Sequence, residues 1–109
     1  MSYELKKDNS SKFRFNLKAA NGEIILSSQG YAQKASALAG IESVRTNGPT
    51  ETNYERKAST SGQPYFVLKA SNGQVIGNSE MYSSPAARDN GIASVQKNSA
   101  SPKVNDLTE

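Results

Sequence analysis

The sequence predicts an α+β fold: two tandem strand-strand-strand-helix repeats that share a single sheet, with both helices on one face. Three observations carry this. An alternating run, an Asn-Gly pair and a second apolar run occur at 15–26 and again at 66–77. That order is a strong hairpin signal, because Asn and Gly tolerate the positive φ angles of tight turns. Sliding the chain on itself by 51 positions aligns Tyr3-Glu4 with Tyr54-Glu55, Leu17-Lys18-Ala19 with Leu68-Lys69-Ala70, and Gly40-Ile41 with Gly91-Ile92. About 19 of roughly 47 aligned positions are identical, which marks an internal repeat. After each hairpin the apolar period lengthens from two to that of a helix.

In the first repeat, residues 3–7 read as a short strand and Asp8-Asn9-Ser10-Ser11 as a turn of residues that bond their own backbone. From Lys12 to Ala19 the chain alternates, with Phe13, Phe15, Leu17 and Ala19 on one face and Arg14, Asn16 and Lys18 on the other. A two-residue Asn21-Gly22 turn would set Leu17 against Leu26, Ala19 against Ile24 and Lys18 against Ile25. The same register in the second copy sets Lys69 against Ile76. One face is then apolar and the other mixed, as suits a sheet covered on a single side.

Beyond Tyr31, Ala37, Ile41 and Val44 fall at helical spacing, and Ala35 and Leu38 widen the stripe. The second helix has a clearer start: Ser84 is a capping residue and Pro85 suits the first helical position. An interior glycine stands at the same place in both helices, Gly40 and Gly91. It costs about 0.5–1 kcal/mol relative to alanine, so its recurrence implies close approach of the helix backbone to a neighbour. Asn47-Gly48-Pro49 ends the first helix, and residues 51–59 restart the unit as a strand. Repeat one is thus residues 3–50 and repeat two 51–109, forming a single domain. A two-copy array points to a closed pseudo-twofold pair in a monomer rather than to a solenoid. By composition the tail after Ser99-Ala100-Ser101-Pro102 reads as disordered.

The chain has 109 residues, 35% of them hydrophobic, so neither repeat buries a sufficient core alone. It contains no cysteine and no histidine. This excludes disulfides, thiolate nucleophiles and Ser-His-Asp catalysis, and it removes the commonest general base and metal ligand. No carboxylate pair has the spacing of an acid–base couple, and no Gly-Lys-Ser/Thr phosphate loop is present. No enzyme activity, cofactor or metal is expected. Residues 1–7 lack the apolar core of a signal peptide, and no run is long enough to span a membrane, so the expected compartment is the cytoplasm.

The net charge of +3 is spread along the chain and permits a polyanionic partner without requiring one. Lys18, Lys69 and Arg14 offer phosphate contacts, but Phe13, Phe15 and Phe66 alternate onto the opposite face. Weak nucleic-acid binding is therefore the alternative, and a binding or interaction module with a protein partner is the primary expectation. Ile25 and Ile76, on the lysine face, favour such a partner. A second candidate surface is Arg88-Asp89-Asn90 on the second helix, polar where the first helix has Ala37-Leu38-Ala39. The plain alternative is a solvated helix edge with locally paired charges.

The runs 15–22 and 66–73, with Ser79-Glu80-Met81-Tyr82 and residues 86–95, closely resemble the YegP-like family of small bacterial tandem-repeat proteins of unknown function. The resemblance spans nearly the whole chain. It implies strand-strand-strand-helix(-strand) units fused into one antiparallel sheet with exchanged terminal strands, and it turns the tail around 103–107 from disorder into a strand that pairs with the other repeat. It also implies that relatives with one unit form the same object as dimers. It supplies no activity, cofactor or partner. Arg56 in place of Leu5, and Asp89 in place of Leu38, make the two halves unequal.

Overall fold

The computed structural model describes residues 2–108. Its elements are β1 (Ser2–Lys7), β2 (Phe13–Lys18), β3 (Ile24–Ser27), α1 (Lys34–Asn47), β4 (Tyr54–Ala58), β5 (Pro64–Lys69), β6 (Val75–Asn78), α2 (Pro85–Asn98) and β7 (Val104–Asp106). A 3-10 turn at Glu51–Asn53 leads into β4. The strands form one sheet in the order β4-β5-β6-β3-β2-β1-β7. Neighbours are antiparallel except β7, which lies parallel to β1 with Val104 opposite Tyr3 and Asp106 opposite Leu5. The sheet is therefore mixed at that edge, where the predicted terminal strand of repeat two has crossed to repeat one.

At the centre, Ser27 of β3 pairs with Asn78 of β6. Each is the other's counterpart in the 51-residue repeat, so a pseudo-twofold axis passes between them. The pairing and the alternation of each strand put Phe15, Leu17, Leu26, Phe66 and Leu68 on one face. Both helices cover that face. All five side chains are fully buried together with Tyr3, Leu5, Ile41, Val44, Ile92 and Val95. Removing a Phe or Leu side chain from water is worth about 1.5–3 kcal/mol, so this shared layer holds the two halves together.

The hairpins form with a register that differs from the predicted one. Gly22 N–H donates to the Ala19 carbonyl at 2.9 Å and Ala19 N–H to the Glu23 carbonyl at 2.9 Å, which makes a three-residue loop with Gly22 at φ 85°. Ala19 therefore faces Glu23, and Lys18 faces Ile24. A β-bulge between Leu17 and Lys18 then restores the predicted Leu17–Leu26 pair. Repeat two does the same: Gly73 sits at φ 86°, Lys69 faces Val75, and a bulge follows before Leu68–Gly77. The expectation that Ile25 and Ile76 share an exposed face with the lysines is overturned. Both are bulge residues, 7% and 8% exposed, and belong to the apolar core.

The interior glycines have a concrete reason. A Cβ on Gly40 would lie 2.8 Å from both a Phe15 ring carbon and the Tyr31 hydroxyl. On Gly91 it would meet Tyr82 and Phe66 in the same way. The Phe15–Tyr31 and Phe66–Tyr82 rings stack at 6.3 and 6.2 Å, so each helix rests its backbone on an aromatic pair. Leu38, expected to widen the stripe of α1, is instead exposed. Ser84 caps α2 through a 3.1 Å bond from Ala87 N–H to its Oγ, as its position before Pro85 predicts.

Candidate functional site

Two surfaces collect the residues singled out by the sequence. The first is the face of the sheet that the helices leave open. Lys18 and Lys69 project there because they alternate with the buried Leu17 and Leu68. Each lysine bonds a glutamate of the neighbouring outer strand: Lys18 Nζ to Glu4 at 2.9 Å, Lys69 Nζ to Glu55 at 2.8 Å. The hydrogen bond from Lys69 is the chief cause that holds the Glu55 carboxyl below its ordinary pKa, with Lys57 and Lys69 charge adding to it. Arg14, on the same face, is held by Asp8 at 2.7 Å. Lys18, Lys69 and Arg14 are thus already paired, whereas Lys6, opposite Arg14 on the same face, is exposed and makes no ion pair among the described residues.

Beside each lysine stands an aliphatic side chain that the bulge has moved there, Ile24 at 37% exposure and Val75 at 45%. They are pseudo-twofold counterparts on either side of the Ser27–Asn78 centre. Asn16 and Val67, on the rows between, are nearly buried. Phe15 and Phe66 lie on the helix side, as expected, and Phe13 is half-buried under the Lys7 ammonium at 5.3 Å. Tyr65, opposite Lys57, does stand on the open face. One half-buried ring is no stacking platform for successive bases.

The second surface is on α2. Asp89 receives Arg56 Nε at 3.0 Å and Arg88 Nε at 3.1 Å. The hydrogen bond from Arg56 leads in lowering its pKa, and Arg88 adds to the effect. Arg88 and Asp89 are therefore a paired cluster that ties α2 to β4. Asn90 is not part of it. It lines a cleft of about 450 Å³ between α2 and the tip of the first hairpin. The hairpin supplies Ala19, Ala20 and Asn21 to that cleft; α2 supplies Asn90, Ala93, Ser94, Lys97 and Asn98.

Lys97 and Asn98 escaped the sequence reasoning as site residues. A signal was available, since Ser43 and Asn47 recur as Ser94 and Asn98 with four-residue spacing. In both helices the Asn amide nitrogen donates back to the Ser carbonyl, at 2.9 Å for Asn47 and 2.8 Å for Asn98.

A domain of unknown function, DUF1508, matches the chain twice, at residues 8–55 and 59–106. The chain belongs to the DUF1508 family. The two matches start 51 residues apart, in agreement with the repeat period. The UPF0339 protein YegP of Yersinia pestis is 61% identical over 106 residues, covering 97% of this chain and 95% of that protein. The solution NMR structure of a UPF0339 protein from Shewanella oneidensis superposes with a TM-score of 0.92 at 53% identity, covering 97% and 90% of the two chains. That of YegP from Escherichia coli, described as a protein of unknown function, gives 0.92 at 51% identity, covering 97% and 91%. These DUF1508 relatives carry no enzymatic name, and among the described residues no helix is long and apolar enough to cross a membrane.

Proposed function

We propose that this chain is a non-enzymatic binding module that docks onto another protein through the open sheet face. The carrying observation is the state of its lysines. Lys18 and Lys69 are bound to Glu4 and Glu55, and each is opposed by an exposed aliphatic residue. Phosphate recognition needs cations free to meet it, and the two central lysines of this face are spent on Glu4 and Glu55 beside apolar area. Protein interfaces commonly combine a modest apolar patch with a rim of paired charge. The absence of histidine and cysteine supports a role without chemistry. The two repeats complete each other within one chain, which supports a monomer, and the cysteine-free composition agrees with work in the cytoplasm.

The test is a photo-activated cross-linker placed at Val75, with Ser61 in the β4–β5 turn as a control position. The reading expects discrete, saturable protein adducts from position 75 that unlabelled wild-type chain competes away. The chain carrying Ile24→Glu and Val75→Glu should not compete. Equal labelling from position 61, or adducts with nucleic acid, would count against it.

A further inference from the structure

The cleft between α2 and the first hairpin tip carries a polar demand that the other half of the molecule meets internally. Asn98 is only 5% exposed and spends its amide nitrogen on Ser94, at 2.8 Å to the carbonyl and 3.2 Å to Oγ. Its side-chain oxygen has no hydrogen-bond partner among the described residues, and it is not sealed from solvent. Asn98 is among the residues that line the cleft. In repeat one the corresponding Asn47 makes the same bonds to Ser43, and the Asn53 amide lies 3.5 Å from its Oδ1 and 3.0 Å from its carbonyl. An N–H donor from the chain itself thus fills the place. The counterpart of Asn53 is Val104, which has no amide side chain and is committed to β7 beside Tyr3. Strand exchange has left the acceptor of repeat two unanswered.

The cleft differs from its counterpart in charge as well. Lys97 replaces Thr46 and Asn90 replaces Ala39. Lys97 is exposed and makes no ion pair among the described residues. The walls next to these groups are Ala19, Ala20 and Ala93, which leave room and offer only small aliphatic contacts. We infer that the cleft binds a small ligand bearing a carboxylate with an N–H donor beside it, the chemistry shared by a free α-amino acid and a peptide C-terminus. The carboxylate meets Lys97 and the N–H meets Asn98 Oδ1, while the Asn90 amide is available to the second carboxylate oxygen. A volume of about 450 Å³ suits a ligand of one or two residues. This site lies on the helix side of the sheet and does not depend on the docking face.

The experiment is an amide-resolved NMR titration of the full chain with glycine, N-acetylglycine and acetyl-triglycine, using acetate and acetamide as half-ligands. Saturable shifts are expected at Ala20, Asn21, Lys97 and the Asn98 side-chain amide, with Thr46 and Asn47 unmoved. Preference for glycine identifies the free amino acid as the source; preference for the acetylated probes identifies the peptide terminus. Lys97→Gln, at an exposed position, should weaken binding roughly tenfold, the usual worth of a charge-assisted hydrogen bond. Asn90→Ala should weaken it less and leave the fold intact. Acetate alone producing the same shifts as N-acetylglycine would mean an adventitious ion only and would overturn the inference. So would the absence of saturable shifts, or equal response at Asn47.

Discussion

The Tyr3 hydroxyl donates to the Ser99 carbonyl at 2.5 Å, tying the first strand of one repeat to the end of the other repeat's helix. Its counterpart, Tyr54, donates to the Gly48 carbonyl at 2.7 Å. Ser99 and Gly48 are themselves counterparts, so both bonds stop a helix whose last carbonyls have no partner within it. Burial pushes both phenol pKa values well up, so the hydroxyls stay donors across the whole working pH range. Tyr3→Phe and Tyr54→Phe should each cost about 0.5–1.5 kcal/mol in urea denaturation, with the slope of the transition unchanged. A cost near zero for both would show that water replaces the bonds freely.

The aromatic seats under the helices make a second prediction. Gly40→Ala and Gly91→Ala would each gain about 1 kcal/mol in helix propensity. The added methyl, however, must displace Phe15 and Tyr31, or Phe66 and Tyr82. Overpacking of this kind costs about 1–3 kcal/mol, so the net effect should be a loss of stability. Thermal melts of both variants check it, and a raised melting temperature would refute the seating.

The length of the hairpin loop shows what the sequence does and does not disclose. Asn21-Gly22 announces a turn, but Gly at positive φ serves a two-residue loop and a three-residue one equally. The Leu17–Leu26 pair is nevertheless read correctly, because the loop and the bulge shift the register by one residue in opposite senses. Between these two shifts the reading fails: Ile24 takes the exposed place assigned to Ile25. Apolar residues in a row, Ile24-Ile25-Leu26, carry no alternation that would reveal a bulge. The parallel direction of β7 is equally silent, since three residues have no usable period. Lys97 and Asn98 were hidden for another reason. What distinguishes Asn98 from Asn47 is the loss of Asn53's counterpart, a relation between distant positions that only the fold brings together.

Attachment of β7 should depend on pH. Lys34 pairs with Asp106, and hydrogen bonds from Lys34 and then Thr108 draw the Asp106 pKa down to about 2. A carboxyl depressed in the folded chain stabilises it above the unfolded pKa, about 3.9, and that contribution is lost as pH falls toward 2. Leu107 N–H donates to the Leu5 carbonyl at 2.7 Å and reports the attachment by hydrogen exchange. Its protection, corrected for intrinsic exchange, should drop between pH 4 and pH 2 in the wild type. In Asp106→Asn it should already be low at pH 6. Equal protection in the two chains at pH 6 would remove Asp106 from the anchoring.

Most directly at stake is whether the sheet-face lysines are spoken for by Glu4 and Glu55. Fluorescence anisotropy with short single- and double-stranded oligonucleotides, at two salt concentrations, measures this. The wild-type chain should bind no better than non-specifically, with a Kd of roughly 10⁻⁴–10⁻⁶ M or weaker that fades as salt rises. The chain carrying Glu4→Gln and Glu55→Gln frees Lys18 and Lys69, and should bind more tightly with a salt dependence steeper by about two phosphate contacts. Tight, salt-resistant binding by the wild type, left unchanged in the double variant, would contradict the protein-docking account.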